Sequence, residues 1–571
     1  MTTLPPSLKK FEAVATYKNT HVPLLLEQPI DHARKLRVVV VGAGFSGIAT
    51  AYKLATEVEN VDVVIYEKNE DVGGTCPSHC YQYTFAENTQ WSKFYVPGSE
   101  ILAYLRDCAT KFQIRDIIEF DHEVVKTQWS EESGRWTLTL RQTKTGTEVE
   151  DNADIVISAM GFLNHWDLPN IEGLDAFKRK IVHTASWTLE PTGEAWRERT
   201  VAVIGCGSSA MQVVPALQPH VKQLDSYVRG QIWVSRPFVS PILSRYSDAD
   251  TGNHMFTEEE KQLYKTSPEA YKAFRLELED ALNSVAAIGH EGSRLQEVLR
   301  NLCEEKMRQK LSSRPDIADG LIPNFPLSCR RLTPDGGYLD ALLAPNVDFI
   351  KSEIRRFTEE GIETVTGECK QYDVIVCATG FDTSFIPRFP ILGRNDLNLQ
   401  DIWADYPKTY LGLCQDGFPN WYAIRISSKF QIAGPNSTIN LGSFMPVIEK
   451  QIDYVLSCVR KMQRQRIKSM TVKKEAVEDF QNYCDAYFPR TVFARNCRNW
   501  YKKGKADARI IGLWPGSSLH QLRTLEQPRF EDFTYTYVDD NLSGSCLYWL
   551  GNGSTVAEEE GKPLTRAWYL T

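Results

Sequence analysis

RVVVVGAGFSGIATAYKLATEVENVDVVIYE, residues 37–67, decides the fold. Arg37–Gly42 is a continuously apolar, β-branched run of the kind buried on both faces in a parallel sheet. The chain then passes through Gly42-Ala43-Gly44-Phe45-Ser46-Gly47 into an apolar helical stretch. Val61–Glu67 supplies a second strand, which closes a βαβ unit of about 30 residues. In that setting each glycine has a physical task. Gly42 makes the tight turn, Gly44 lets backbone approach a diphosphate, and Gly47 permits close packing of helix on strand. The helix opened by Phe45 and Ser46 presents unpaired N–H groups and a partial positive charge to the phosphates. Glu67, twenty residues beyond Gly47, is expected to accept hydrogen bonds from ribose hydroxyls.

The arrangement recurs near residue 200. Thr200–Gly205 reads as a strand, Gly205-x-Gly207-x-x-Ala210 as a second phosphate loop with Ser208 and Ser209 in it, and Gln223–Arg229 as the following strand. Alanine in place of the third glycine is compatible with the motif. This second strand ends in Val228-Arg229 rather than in an acid. An acid would repel a 2′-phosphate, whereas Arg229 can hold one by charge-assisted hydrogen bonds, so the second site favours NADPH over NADH. A solvated surface cation is the alternative reading of Arg229. Two dinucleotide sites on one chain imply hydride passing from a nicotinamide to a flavin, hence FAD at the first loop and NADPH at the second.

Two further strand readings echo one another, Asp154–Gly161 (DIVISAMG) and Asp373–Gly380 (DVIVCATG). The fold class expected is α/β, with two Rossmann-like dinucleotide-binding domains, the FAD domain discontinuous and the NADPH domain inserted into it, plus a helical insertion. The expected division is an N-terminal arm (1–36), the first part of the FAD-binding domain (37–160) and the NADPH-binding domain (161–235 and 321–370). A helical insertion (236–320) interrupts the latter, and 371–571 form the second part of the FAD-binding domain with a C-terminal tail. Val124–Gln142 predicts a hairpin turning at Glu132-Ser133-Gly134. Thr257-Glu258-Glu259-Glu260 predicts a capping box at a helix start. The stretch PVIEKQIDYVLSCVRKMQRQR predicts a long helix.

Bulk properties narrow the class. A length of 571 residues exceeds one ordinary core, since domains usually run ~100–200 residues. A hydrophobic share of 42% with 24% charged residues fits a globular enzyme. The net charge of −8 argues against a nucleic-acid partner, whose phosphates need a basic face. No run approaches the ~18–20 apolar residues of a spanning helix, and the N-terminus lacks signal-peptide architecture. A soluble, cytoplasmic protein without stable membrane insertion is expected. Thirteen scattered cysteines read as reduced buried thiols rather than a disulfide framework.

Gly73-Gly74-Thr75 after Glu67, the doubled loop and CATGFD at 377–382 resemble the class B flavoprotein monooxygenases. Within that class the chain resembles the Baeyer–Villiger monooxygenases, particularly their fungal secondary-metabolism branch. Ser78–Tyr83 (SHCYQY), TQWSKFYVPGSEI, CRRLTPDGGYLDAL, GPNSTINLGSF and WYKKG carry the likeness, which runs from about residue 35 to the C-terminus. The resemblance implies that NADPH reduces FAD, that O2 adds at the flavin C4a, and that the peroxyflavin attacks a ketone to give an ester or lactone. Some relatives hydroxylate, epoxidise or oxygenate a heteroatom instead. A polyketide or terpenoid ketone is the implied substrate class.

The same resemblance assigns residues. Arg331 becomes the catalytic cation beside the flavin, where a permanently charged fork near a buried anion is worth several kcal/mol. Arg330 matches a position touching the NADPH phosphate or ribose, Trp500 an aromatic near the nicotinamide, and Tyr81 one near the flavin. Gly74, Thr75 and Phe444 join the FAD site. The family fingerprint F-x-G-x-x-x-H-x-x-x-W matches Phe177, His183 and Trp187, with Arg179 in place of the glycine. His183 is therefore a candidate for coupling domain rotation to cofactor position, or else a structural histidine.

One departure from the family pattern matters. Thr75 is followed at once by Cys76-Pro77-Ser78-His79, so about a dozen residues of the usual pattern are absent, with a flavin-side Trp and an Asp that pairs with the catalytic Arg. A gene-model error, a true deletion with weakened oxygenation, and a repurposed pocket all account for it; a flavin-binding pseudo-oxygenase is the non-enzyme alternative. The resulting GGTCPSHC also resembles the redox start of flavin disulfide reductases. That family spaces its cysteines by four residues rather than three and needs a C-terminal His-Glu motif not found here. Cys76, His79 and Cys80 lack the fourth donor of a metal site, and no metal is expected.

Overall fold

The computed structural model describes residues 25–73, 82–161, 165–188, 194–235, 242, 253–424, 434–439, 442–539, 546–561 and 565–570. Two five-stranded parallel sheets organise it. The first runs Trp421–Ala423, Ile155–Ser158, Leu36–Val41, Val61–Tyr66 and Ile118–Glu119 in spatial order. Val38–Val41 are buried because both faces of the sheet are covered: Val38 and Val40 pack with helix residues such as Ile48 and Val455, Val39 and Val41 with Trp129, Trp136 and Leu138, which is why the run is apolar without alternation. The strand at one edge, Trp421–Ala423, comes from far along the sequence, so this domain is discontinuous.

The second sheet runs Val347–Ile350, Gln223–Tyr227, Thr200–Ile204, Val374–Cys377 and Lys180–His183. It lies wholly between the segments of the first. One boundary differs from expectation. Val374–Cys377 was expected in the second part of the FAD domain, yet it pairs with Thr200–Ile204 and Lys180–His183 in the second sheet. The echo between DIVISAMG and DVIVCATG explains this, because Ile155–Ser158 holds the corresponding place beside the first glycine-loop strand.

A four-stranded sheet of Ile391–Leu392, His122–Ser130, Arg135–Gln142 and Glu148–Ala153 packs against the first domain. Its central hairpin turns at Gly134, whose φ of +65° suits glycine. The insertion carries the helices Glu258–Thr266, Pro268–Ser284, Arg294–Lys310 and Pro315–Leu321. The Thr257/Glu260 capping box is present at the first of them. Tyr264, Tyr271, Phe274 and Leu278 pack into the first domain's core, whereas Cys303, Met307 and Leu321 pack into the second's. The insertion thus bridges both cores. Helix Phe444–Arg464 forms as its apolar periodicity predicts and lies against helix Phe45–Glu57. Among the described residues, no helix is long and apolar enough to cross a membrane.

The cysteines are not all reduced thiols, contrary to expectation. Cys329 and Cys497 are joined in a disulfide, with Cα atoms 6.5 Å apart at a sequence separation of 168. Both are buried, and nine other described cysteines are free thiols. Spacing could not signal the bond, because it joins two segments far apart in sequence that meet in the second core.

Candidate functional site

Gly42 ends the strand Leu36–Val41 with φ +105°, and a β-carbon there would sit 2.8 Å from the Ala159 carbonyl oxygen. A β-carbon on Gly44 would come within 3.2 Å of the Gly73 carbonyl, and one on Gly47 would overlap the carbonyl oxygen of Gly42 itself. The three glycines are thus fixed by backbone approaching backbone. Helix Phe45–Glu57 begins without a side-chain cap and without an acid in its first turn, which leaves its N-terminus electropositive. Ser46 is buried, and its hydroxyl has no hydrogen-bond partner among the described residues. A buried polar atom of this kind fits an anionic ligand at the helix start.

A cavity of about 830 Å³ opens on this loop. Gly42, Gly44, Phe45, Ser46, Glu67 and Gly73 line it on one side, Met160, Trp166, Phe381 and Arg388 on the other. Phe45 also packs inward, edge-to-face on Tyr83 at 5.5 Å. Glu67 is buried; its Oε2 accepts from the Ala43 N–H at 2.8 Å and its Oε1 from the Asn69 N–H at 3.0 Å. These bonds orient the carboxylate while leaving lone pairs for ribose hydroxyls.

The second loop is built the same way. Gly205 has φ +124°, and a β-carbon on it would lie 2.5 Å from the Ala378 carbonyl. Gly207 faces open space, as a loop that receives a ligand must. Ser208 is hydrogen-bonded to Thr333 at 2.7 Å, Ser209 precedes helix Ala210–Leu217, and Ala210 is fully buried against the sheet. Arg229 is exposed at the end of strand Gln223–Tyr227. Arg330 reaches the same place from a hundred residues away, donating to the Gln231 carbonyl at 2.9 Å. Its Nε is buried without a partner among the described residues. Burial, together with the like charges of Arg498 and Arg229, pulls its pKa down. Cations gathered this way favour an anion between them.

Arg331 is half-buried, and its positive charge acts on the fully buried Tyr501. Tyr501 stands edge-to-face with Trp500 at 4.2 Å. Arg331 and the Trp500–Tyr501 pair thus come near one another although the cross-linked Cys329 and Cys497 beside them stand at a sequence separation of 168. His183 ends the strand Lys180–His183, buried, with its Nδ1 accepting from the Ala185 N–H at 3.1 Å. Its ring is stacked on Trp166 at 4.5 Å, and Phe381 stands edge-on to it at 6.1 Å. Trp166, Ala185 and Phe381 all line the large cavity, so His183 abuts that cavity through neighbours rather than opening into it. In the fingerprint segment, Phe177 is buried, Trp187 stacks on Trp196 at 6.4 Å, and Arg179 donates to Asp373 at 2.7 Å where the family glycine would stand.

Not every expected residue gathers at a cavity. Phe444 heads its helix inside the first domain's core and does not line the large cavity. Gly74, Thr75 and Tyr81 lie outside the described residues, as do Cys76 and Cys80. Trp166 escaped notice because nothing in its local sequence marks it. Asp382 did carry a signal in CATGFD; it lines the cavity and pairs with Arg388.

Two parallel sheets, each ending in a glycine loop that opens a helix, define a two-nucleotide α/β oxidoreductase. A family model described as pyridine nucleotide-disulphide oxidoreductase matches residues 36–240, a span holding both loops. The chain is 40% identical over 544 residues to the FAD-binding monooxygenase tazF of Aspergillus terreus, covering 92% of this chain and 93% of that protein. It is 30% identical over 498 residues to a Baeyer–Villiger monooxygenase of Pseudomonas aeruginosa, covering 85% and 88% respectively. The closed crystal structure of cyclohexanone monooxygenase superposes with a TM-score of 0.73, covering 89% of this chain and all of that one, at 23% identity, a likeness of fold. The chain belongs to the FAD-binding monooxygenases.

Proposed function

We propose that this enzyme uses FAD and NADPH to insert one oxygen atom of O2 beside the carbonyl of a small-molecule ketone, in the Baeyer–Villiger manner. The observation that carries the proposal is the pair of glycine loops within one chain of this family. When bound, the flavin supplies the redox chemistry, accepting a hydride and activating oxygen. The chain's own residues do the rest. Gly42, Gly44, Gly47 and the N-terminus of helix Phe45–Glu57 hold the FAD diphosphate, the Ser46 hydroxyl gains its missing partner there, and Glu67 receives the ribose.

Gly205, Gly207, Ser208, Ser209 and Ala210 form the corresponding cradle for NADPH, with Arg229 and Arg330 on its 2′-phosphate. Trp500 covers the nicotinamide. Arg331 stabilises negative charge as it develops on oxygen, a task for which a guanidinium that keeps its charge is suited. His183 acts as a positioning residue, holding Ala185 and Trp166 at the cavity wall.

Arg229→Ala is expected to lower kcat/KM for NADPH while leaving that for NADH nearly unchanged. Loss of a charged hydrogen-bond partner costs roughly 1.5–3 kcal/mol, or about 10- to 150-fold. Steady-state NADPH and NADH oxidation by the purified variant measures it. The reaction class is tested by supplying isotopically labelled O2 with a panel of cyclic and aryl ketones and tracing the label by mass spectrometry. One labelled atom in an ester or lactone supports the proposal. Label found only on carbon hydroxyls or on sulfur and nitrogen nucleophiles contradicts it.

A further inference from the structure

We infer that the Cys329–Cys497 disulfide is a positioning cross-link that holds the Arg330-Arg331 segment in register with the Trp500 turn. This rests on the roles proposed above for Arg330, Arg331 and Trp500. Cys329 immediately precedes the two arginines, and Cys497 lies three residues before Trp500. The bond therefore ties the arm carrying the arginines directly to the segment carrying the aromatic residue.

The surroundings of the bond are built to the same end. The Asn499 side-chain amide donates to the Cys329 carbonyl at 3.0 Å and lies 3.4 Å from the Cys497 sulfur. Its carbonyl oxygen accepts from the Lys502 N–H at 3.1 Å, closing the short helical turn Trp500–Lys502. Asn499 thus holds the Cys329 backbone with one end of its side chain and the Trp500 turn with the other. Lys502 is itself buried, and its ammonium donates to the Arg495 and Ala506 carbonyls, both at 2.7 Å. Only the disulfide is covalent in this set, and it alone can be opened by chemistry that leaves the rest intact.

The structural requirement is clear from the residues that flank it. Arg330 must keep its guanidinium beside Gly230 and the second phosphate loop, while Arg331 must stay by Tyr501. Both sit on a connecting segment that no strand holds at that point, since the nearest, Thr333–Pro334, is two residues long. A charged group displaced by about 1 Å loses most of its benefit, so a tether at residue 329 has a large effect on residues 330 and 331.

The test uses the FAD-loaded full-length enzyme. A dithiol reagent passes two electrons and two protons to the bond, giving two protein thiols and the cyclic disulfide of the reagent. Alkylation and peptide mass spectrometry then count Cys329 and Cys497 as free or bonded. Anaerobic rapid mixing with NADPH and with NADH gives the dissociation constant and the limiting rate of flavin reduction for each state. The NADPH dissociation constant is expected to rise about tenfold on opening the bond, with the preference for NADPH over NADH falling and bound FAD unchanged. Cys497→Ser should show the opened values with or without dithiol. A purely structural bond would lower the melting temperature but leave the preference between the two nucleotides alone. The inference is overturned if opened and closed enzyme share the same constants, or if both cysteines alkylate before any reductant is added. Should NADPH fail to bleach the flavin in either state, the functional reading fails first and this inference goes with it.

Discussion

Gly47→Ala is expected to yield a protein that purifies without colour. A β-carbon at this position overlaps the carbonyl oxygen of Gly42, and that oxygen belongs to the turn proposed above to hold the diphosphate. Neither backbone can yield cheaply. Gly42 is held at φ +105° against the Ala159 carbonyl, and Ile48, Ala49 and Ala51 of the helix are fully buried. Overpacking of a buried contact costs about 1–3 kcal/mol, and here the displacement also moves the N–H groups that meet the phosphates. A flavin affinity lowered by about 100-fold or more is the expected result, since each 1.4 kcal/mol is tenfold. The ratio of flavin to protein absorbance in the purified variant measures it. Normal flavin content in Gly47→Ala would mean that the first loop does not hold the diphosphate. Circular dichroism should remain that of a folded α/β protein, because the second sheet and its core are built separately.

Arg331→Ala separates the two halves of the reaction. Flavin reduction under anaerobic NADPH should stay within a few-fold of the parent, because Arg229, Arg330 and the second loop are untouched. Oxygenated product should fall by roughly 10²–10³-fold, the usual cost of removing one donor aimed at developing negative charge. The NADPH consumed then appears as hydrogen peroxide. Arg331→Lys should not restore coupling, since an ammonium lacks the planar fork. Product and peroxide formed per NADPH, with any ketone the parent converts, decide the matter. An unchanged product yield would remove Arg331 from the oxygenation step.

The glycine loops and the strands that carry them were legible because their signals are local. A β-branched run, a glycine turn and a helix start within a dozen residues leave few other conformations. The helical insertion was legible through Thr257 and Glu260 for the same reason. What escaped was nonlocal. Val374–Cys377 could be recognised as a buried strand but not assigned to a sheet, because strand neighbours are chosen by packing across the whole domain. The partnership of Cys329 with Cys497 has no spacing signal at all. Trp166 beside His183 required the fold before it could be seen. The shortened segment after Thr75 is legible only against a family pattern, and Gly74–Tyr81 fall outside the described residues. Full-length transcript sequencing across those codons tells a true deletion from a gene-model error.

The two glycine loops would let two bound nucleotides meet so that a hydride crosses from one to the other. Purified protein reconstituted with FAD should be mixed with NADPH in the absence of oxygen while the visible flavin band is followed. One equivalent of NADPH should bleach the bound flavin fully, and readmitted air should restore the colour. A protein that stays colourless with excess FAD, or a bound flavin that NADPH leaves oxidised, contradicts it.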